Sequence, residues 1–460
     1  MTVEENLPIA IIGAGPVGLA AASYIIKRGK TPIILEAGDE AGYAIRQWEH
    51  VRLFSPWKYN MDKAAVELLK ASSWIEPEPE KLPTGKEFLE DYITPLSKNT
   101  VLKDFIKYGS KVTAVTRLNT DKIRTFGREK LPYVLKIDRG SDTEFIQASA
   151  VIDTSGTWFT PNPIGSGGIK AAGEEEHSNK ITYGIPNVLN KDRAKFEDKT
   201  IAVVGSGHSA MQVIIDLLEL QETSQTTNMK WVMRKTDLGN VFGGGKDDAL
   251  PARGEIGMKA KKAVEYNRLE LVTPFLINKV SMESSGDSKL KVHGFKNGQN
   301  HHIEVDEIIA TTGFRPDLEM LREVRVNIDS SLESVADIAS MIDPNIHSCG
   351  TVPPHGVEEL KHDDENFFIA GMKSYGRAPT FLMATGYEQV RSIVAYLDGD
   401  LEAANRIELD LPETGVCSSN LSLNGAECCA PANSQEDVSS SCCTPNRKTT
   451  LVQASPACCG

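Results

Sequence analysis

Two glycine-rich strings hold the residues whose types and spacing bear most directly on chemistry. The first is Ile9-Ala10-Ile11-Ile12-Gly13-Ala14-Gly15-Pro16-Val17-Gly18, followed by Pro32-Ile33-Ile34-Leu35-Glu36. The second is Ile201-Ala202-Val203-Val204-Gly205-Ser206-Gly207-His208-Ser209-Ala210, followed by Lys230-Trp231-Val232-Met233-Arg234-Lys235. Each sets an apolar run before a tight glycine turn and an amphipathic run after it. A side chain at those glycines would keep the backbone away from a pyrophosphate, and the helix that follows offers free N–H groups and partial positive charge to phosphates. One such turn alone is weak evidence, because glycine turns also join strands to helices for structural reasons; here both carry the whole strand–turn–helix–strand context. The closing residues separate the ligands. Glu36 accepts hydrogen bonds from ribose hydroxyls and repels a 2′-phosphate, which predicts FAD or NAD at the first turn. Arg234 and Lys235 favour a 2′-phosphate, which predicts NADPH at the second.

The elements that position these turns predict an α/β chain with two Rossmann-like domains. At 460 residues the chain has room for two cores and a tail. Strands are expected at 111–117 and 133–138, and a helical stretch near 61–70. A buried strand, Ala150-Val151-Ile152-Asp153, runs into the small-residue turn Thr154-Ser155-Gly156. The second unit ends near Ile308-Ile309-Ala310-Thr311-Thr312-Gly313, after which a strand at 367–371 and a helix at 381–397 resume the first. The expected division is an FAD domain over 1–198 and 311–411, an inserted NAD(P)H domain over 199–310, and a tail over 412–460. The formal net charge of −13 argues against a nucleic-acid partner. The apolar stretch 7–26 contains Gly13, Gly15, Gly18 and Pro16 and lacks a basic leader, so it reads as strand and helix rather than membrane span or signal. A soluble, cytoplasmic protein is expected.

The tail is the second chemical feature. Seven of the eight cysteines fall after residue 411, six of them as adjacent pairs: Cys428-Cys429, Cys442-Cys443 and Cys458-Cys459. Their neighbours are mostly Ser, Asn, Ala and Pro, which cannot bury a core and predict disorder. Structural zinc fits poorly without spaced CxxC pairs and histidines. Adjacent dithiols suit soft, thiophilic centres such as As(III), Hg(II) or Cu(I); thiol redox shuttling and a tail without chemistry are the alternatives. A flexible chain from 412 to 458 has a root-mean-square span of roughly 35–40 Å, against a radius of gyration of about 22 Å for a body of this size. The cysteines can therefore reach an active site in their own or a partner subunit.

Over about residues 5 to 400 the chain resembles the two-dinucleotide flavoproteins, and among them the flavin-containing monooxygenases. The resemblance rests on both fingerprints, the Gly42 to Trp48 segment and Ala310-Thr311-Thr312-Gly313-Phe314-Arg315-Pro316-Asp317. Gly173 and His177 keep the spacing of the monooxygenase marker, whereas Ala171 stands where that family has phenylalanine and Tyr183 lies late. The absence of a cysteine pair before residue 400, where only Cys349 occurs, separates the chain from disulfide reductases. So does Met372 after Gly371, where those reductases carry aspartate. Leu250-Pro251-Ala252-Arg253-Gly254 and the block from Gly371 to Phe381 resemble flavoproteins encoded beside arsenic-resistance genes.

The resemblance implies an NADPH-dependent FAD oxidoreductase that oxygenates a soft nucleophile, a trivalent arsenical or thiol, with O2 through a flavin C4a-(hydro)peroxide. Reduction of a metalloid, metal or thiol without oxygenation, and metalloid transfer by the tail, are the alternatives. The FAD set is Gly13, Gly15, Pro16, Gly18, Glu36, Trp48, Val112, Gly156 and Gly371. The NADPH set is Gly205, Ser206, Gly207, His208, Ser209, Arg234, Lys235, Thr312 and Gly313. His208 reads as a pyrophosphate contact or a helix cap, and His177 as an NADP contact or a loop residue with a structural bond. Trp48 and Trp57 read as flavin walls or core, Lys373, Tyr375 and Arg377 as flavin-facing candidates for catalysis. The run Gly243-Gly244-Gly245 with Lys246 and Asp248 reads as a mobile loop or a lid. Besides the substrate, O2 and a thiophilic metal at the tail, a homodimer is the assembly expected.

Overall fold

A computed structural model describes residues 7–409, apart from 237, 239–240, 249, 283–288, 347–351 and 380. The chain opens with β1 (Ile9–Ile12), helix α1 (Pro16–Lys27) and β2 (Pro32–Leu35). Helix α2 (Lys63–Lys70), capped by the Asp62 carboxylate, leads to the short β3 (Ile106–Lys107). An antiparallel trio follows, β4 (Lys111–Arg117), β5 (Tyr133–Arg139) and β6 (Asp142–Ala148), then β7 (Ala150–Asp153). The second half runs β8 (Ile181–Tyr183), β9 (Thr200–Val204), α3 (His208–Thr223), β10 (Asn228–Val232), α4 (Pro251–Glu265) and β11 (Glu270–Val272). Strands β12 (Leu276–Met282), β13 (Leu290–Lys296) and β14 (Gln299–Val305) form a second antiparallel trio before β15 (Glu307–Ala310). Strand β16 (Phe367–Ile369) and helix α5 (Met383–Leu397) complete the first half.

Two five-stranded parallel sheets result, ordered β16-β7-β1-β2-β3 and β11-β10-β9-β15-β8. Strand β1 is apolar and buried throughout, as a strand covered on both faces must be. Residues alternate between the two faces of the second sheet: Ala202, Val204, Ile308 and Ala310 pack towards the β12–β14 trio, while Ile201, Val203, Trp231 and Ile309 pack under α3. Strand order, though not strand direction, reverses beside β1 and again beside β9, where later strands are added on the opposite side. These are the switch points where open α/β sheets leave a crevice at the carboxyl ends of their strands. Strand β8, which pairs with β15, lies ahead of residue 199 yet belongs to the second sheet.

The two chain crossings between the sheets are knitted together. The Asn162 amide donates to the Gly313 carbonyl at 2.9 Å and the Arg315 amide to the Thr160 carbonyl at 3.0 Å. The Asn162 side-chain amide adds a bond of 3.2 Å to the Thr312 carbonyl, and the Trp158 and Phe314 rings stack at 4.7 Å. No described helix is long and apolar enough to cross a membrane.

Candidate dinucleotide sites

The first turn is built by close backbone packing. Gly13 has φ +99°, and a Cβ there would lie 3.2 Å from the Ser155 Cα; a Cβ on Gly18 would stand 2.1 Å from the Gly13 carbonyl oxygen. The strand, the turn and α1 are thus drawn together by residues without side chains. Gly15 serves as N-cap of α1, and a Cβ there would meet only open space, so the crevice above the helix N-terminus is free for a pyrophosphate. The Glu36 carboxylate is buried and accepts from the Ala14 and Gly38 amides, each at 2.7 Å. Each carboxylate oxygen accepts one of these bonds and retains a lone pair that can take a ribose hydroxyl. Burial raises its pKa above the usual value, against the lowering pull of those amides. Val112 lies two residues after Ser110, whose amide bonds the Glu36 carbonyl at 2.7 Å, which brings β4 alongside the same crevice. Gly371 (φ +73°) closes the opposite side, its Cα face against Val17 of α1, and its amide donates to the buried Gln389 at 2.8 Å. Gly156 (φ +71°) faces open space. These residues fit an adenine dinucleotide with an unphosphorylated ribose.

The second turn repeats the design at β9. Gly205 has φ +135°, and a Cβ there would meet the Thr311 carbonyl at 2.4 Å, so β9 and the end of β15 touch through glycine. Gly207 is the N-cap of α3 and faces open space; Ser209 is exposed in the first turn of the helix, and Ser206 is half-buried. Trp231 donates from its indole to the Gly205 carbonyl at 2.7 Å and fixes the turn from below. Arg234 is exposed just past β10, with one guanidinium nitrogen donating to the Ser166 carbonyl at 2.9 Å. Lys235 is half-buried beside it, and its carbonyl accepts from the Thr273 hydroxyl. Thr312 and Gly313 sit in the knitted crossing, Gly313 at φ +83°.

Several expected roles change. His208 does not cap α3: Gly207 is the N-cap and no side-chain capping bond is made. The imidazole instead lies edge-on to Phe54 at 5.7 Å, with Nε2 buried and unpartnered. Burial, then the nearby Arg253 charge, push its pKa down to about 4. Lys373 does not face the first crevice as a free group. It is fully buried, 2.7 Å from the equally buried Asp153 carboxylate and 3.0 Å from the Ser155 hydroxyl. Tyr375 is buried too, its ring 5.2 Å from Phe381, and burial raises its pKa. Arg377 is the member of that trio exposed to water. Trp57 belongs to the core against Phe88, whereas Trp48 is half-buried 6.4 Å from Trp158 at the crossing.

The segment carrying His177 is bonded to β12, not to either glycine turn: the Val280 amide donates to the Ala172 carbonyl at 2.7 Å. The 243–248 run is not a free loop. Asp248 and Arg253 form a buried two-armed ion pair, and glycines 254 and 257 let α4 approach the carbonyls of Gly245 and Phe242. The cysteine pairs Cys428-Cys429, Cys442-Cys443 and Cys458-Cys459 lie outside the described residues; among the latter, no group of His, Cys, Asp or Glu is arranged to hold a metal.

Two residues that sequence reasoning passed over organise these regions. Glu174, nearly wholly buried, accepts from the Ile164 amide at 2.9 Å, the Ala171 amide at 2.6 Å and the Tyr183 hydroxyl at 2.5 Å. It ties the crossing to β8. Asp153 neutralises Lys373, and its signal was legible: an acid ending a wholly apolar strand requires a cation.

Two glycine turns at the switch points of two parallel sheets define the class, an oxidoreductase fold with two nucleotide crevices. The pyridine nucleotide-disulphide oxidoreductase family model matches residues 10–350, well over half of the chain, and the chain belongs to that family. Ferredoxin–NADP reductase of Lactobacillus johnsonii is 23% identical over 351 residues, covering 75% of this chain and 86% of that protein. Bacillithiol disulfide reductase Bdr (YpdA) from Bacillus cereus has a similar fold, with TM-score 0.62 and 18% identity over 85% of this chain and 99% of that one. The cadaverine monooxygenase DfoA from Erwinia amylovora, solved bound to FAD, matches at TM-score 0.58 and 13% identity over 92% and 99%.

Proposed function

We propose that the chain is an FAD- and NADPH-dependent oxidoreductase acting as a monooxygenase on a soft nucleophile, a trivalent arsenical or a thiol. The observation that carries this reading is the opposite charge closing two otherwise equivalent turns: buried Glu36 at the first, exposed Arg234 and half-buried Lys235 at the second. We assign FAD to the crevice of Gly13, Gly15, Pro16, Gly18, Glu36, Trp48, Val112, Gly156 and Gly371. NADPH is assigned to Gly205, Ser206, Gly207, His208, Ser209, Arg234, Lys235, Thr312 and Gly313. The DfoA complex with FAD and the NADP named for the Lactobacillus reductase support both assignments. When bound, FAD would supply a ring that accepts hydride and activates oxygen. The chain supplies binding, orientation and a dry junction between the two nucleotides. We place the second domain from β8 rather than from residue 199, since β8 completes its sheet.

Cys349 is the sole cysteine before Cys417, so the body of the chain has no dithiol to relay electrons. This favours oxygenation over the disulfide chemistry for which the family is named. The adjacent cysteine pairs favour a second reading, in which the enzyme reduces a metalloid or thiol held by the tail; transfer of the metalloid by the tail alone is the third. The sequence likeness to flavoproteins encoded beside arsenic-resistance genes supports arsenite as the probe.

The deciding experiment mixes NADPH, O2 and arsenite with the FAD-loaded protein. Monooxygenation requires equal amounts of NADPH oxidised, O2 consumed and arsenate formed, the second oxygen atom leaving as water. Hydrogen peroxide in place of arsenate, with methylated arsenicals and small thiols equally inert as acceptors, removes the proposal.

A further inference from the structure

Gly371, which closes one side of the crevice assigned to FAD, is gripped by buried polar groups at both its amide and its carbonyl. The amide donates to Gln389 Oε1 at 2.8 Å, and the carbonyl accepts from the Ser374 hydroxyl at 2.7 Å. Gln389 Nε2 donates in turn to Ser374 Oγ at 3.0 Å and lies 2.9 Å from Nε2 of His355. His355 Nδ1 lies 3.1 Å from the Pro353 carbonyl oxygen. His355 is 3% exposed and Gln389 and Ser374 are fully buried, so bulk water does not stand in for a lost bond. The backbone at either end fixes every direction in this chain of bonds. A carbonyl only accepts, so His355 Nδ1 carries the proton and its Nε2 is an acceptor. The Gly371 amide only donates, so Gln389 turns its oxygen to Gly371 and its nitrogen to His355. A single tautomer of neutral His355 satisfies the set.

Protonated His355 donates from both ring nitrogens. Gln389 meets it only by turning its amide over, which sets the NH2 against the Gly371 N–H, donor against donor. A displaced Gly371 bears directly on the phosphate crevice. A Cβ on Gly371 would lie 3.3 Å from Val17 in the first turn of α1, and one on Gly386 of α5 would lie 2.7 Å from Val17 and 3.4 Å from the Gly371 Cα. Gly371 is thus wedged between the two helices, and a shift of its peptide presses on the helix end that Gly15 caps. A cavity of about 110 Å³, lined by His355, Glu359, Glu388, Ser392 and Arg406, gives protons a route to the imidazole. The charged groups around it are already engaged. Glu388 pairs with Arg391, Arg406 with Glu408 and Glu358 with Lys361, and the Glu359 carboxylate accepts from the Gly356 amide. The Tyr375 ring lies 5.6 Å away and is neutral, since burial raises its pKa. Burial lowers the pKa of His355, against the raising pull of the Pro353 carbonyl and Glu359, so the neutral form is the resident one.

We propose that His355 and Gln389 are positioning residues of the FAD crevice: the neutral imidazole holds the Gln389 amide in the orientation that grips Gly371, and a proton on His355 releases the dinucleotide. The inference rests on the FAD assignment. Equilibrium dialysis of the full-length, FAD-loaded protein against buffers from neutral pH into the acid range, with retained flavin as the readout, tests it. Through the titration of His355 the FAD dissociation constant should rise by up to about tenfold per pH unit as the pH falls. Protonation of Glu36 adds an acid limb of its own, so the variants carry the comparison. His355→Gln offers Gln389 an acceptor that does not titrate; it should hold FAD as the wild type does at neutral pH and lose the His355 part of the acid limb. Gln389→Glu places a carboxylate that shares a proton with His355, and should hold FAD to a lower pH than the wild type. Acid limbs that coincide in all three proteins, or release of FAD only where far-ultraviolet circular dichroism reports unfolding, would overturn the proposal. A chain that holds no FAD at neutral pH would instead overturn the cofactor assignment on which it rests.

Discussion

Lys373 shows how far a side chain's type can mislead about its place. A lysine just past a nucleotide-binding strand invites assignment to the cofactor, because lysine is seldom buried without a partner. Its partner, Asp153, is 220 residues away in sequence, so the pairing cannot be read locally. Lys373→Met should destabilise the fold by about 3–5 kcal/mol, because it leaves a carboxylate alone in a dry interior. Combining it with Asp153→Asn should recover most of that loss; denaturant midpoints of the single and double variants make the comparison. Arg234 has a different test. Losing a charge-assisted contact to a 2′-phosphate costs about 1.5–3 kcal/mol, so Arg234→Ala should raise the KM for NADPH roughly ten- to a hundredfold and leave that for NADH nearly unchanged. Equal effects on the two coenzymes would remove Arg234 from the site. Glu36 and Arg234 were legible because each ends a strand directly after a recognisable unit. Glu174 was not, since its three donors lie at irregular offsets of three to ten residues and no pattern in the chain announces them.

At the scale of elements, the two strand–turn–helix units are built alike but should fail differently. A Cβ on Gly18 would strike the Gly13 carbonyl at 2.1 Å, so Gly18→Ala must push α1 off β1. The expected outcome is loss of bound FAD and of the yellow colour. Gly205→Ala meets the Thr311 carbonyl at 2.4 Å and must also hold an unfavourable φ. It should spare the FAD spectrum while raising the KM for NADPH at least about tenfold, or 1.4 kcal/mol. A colourless Gly205→Ala protein would contradict the separate assignment of the two turns. Both units were readable because hydrophobic runs, glycine spacing and closing charge agreed over short stretches. Strand β8 was not, for three residues carry too little period to announce a sheet. The 243–248 run was misread for a related reason. Its glycines suggest freedom, whereas the restraint comes from Arg253 and from two further glycines within α4.

For the molecule as a whole, both cores close within the described residues, and the cysteine pairs lie beyond them. Truncation after residue 411 should therefore leave FAD content, thermal midpoint and NADPH-driven flavin reduction unchanged. Arsenite binding measured by calorimetry should disappear with the tail; if it persists at full stoichiometry, the thiol pairs are not the receptor. The two strands of chain linking the halves of the body are not independent tethers but a short laced ribbon, pinned through Asn162 and faced by stacked Trp158 and Phe314. Two tethers fastened in this way restrict swivelling at the crossing more than two independent strands would.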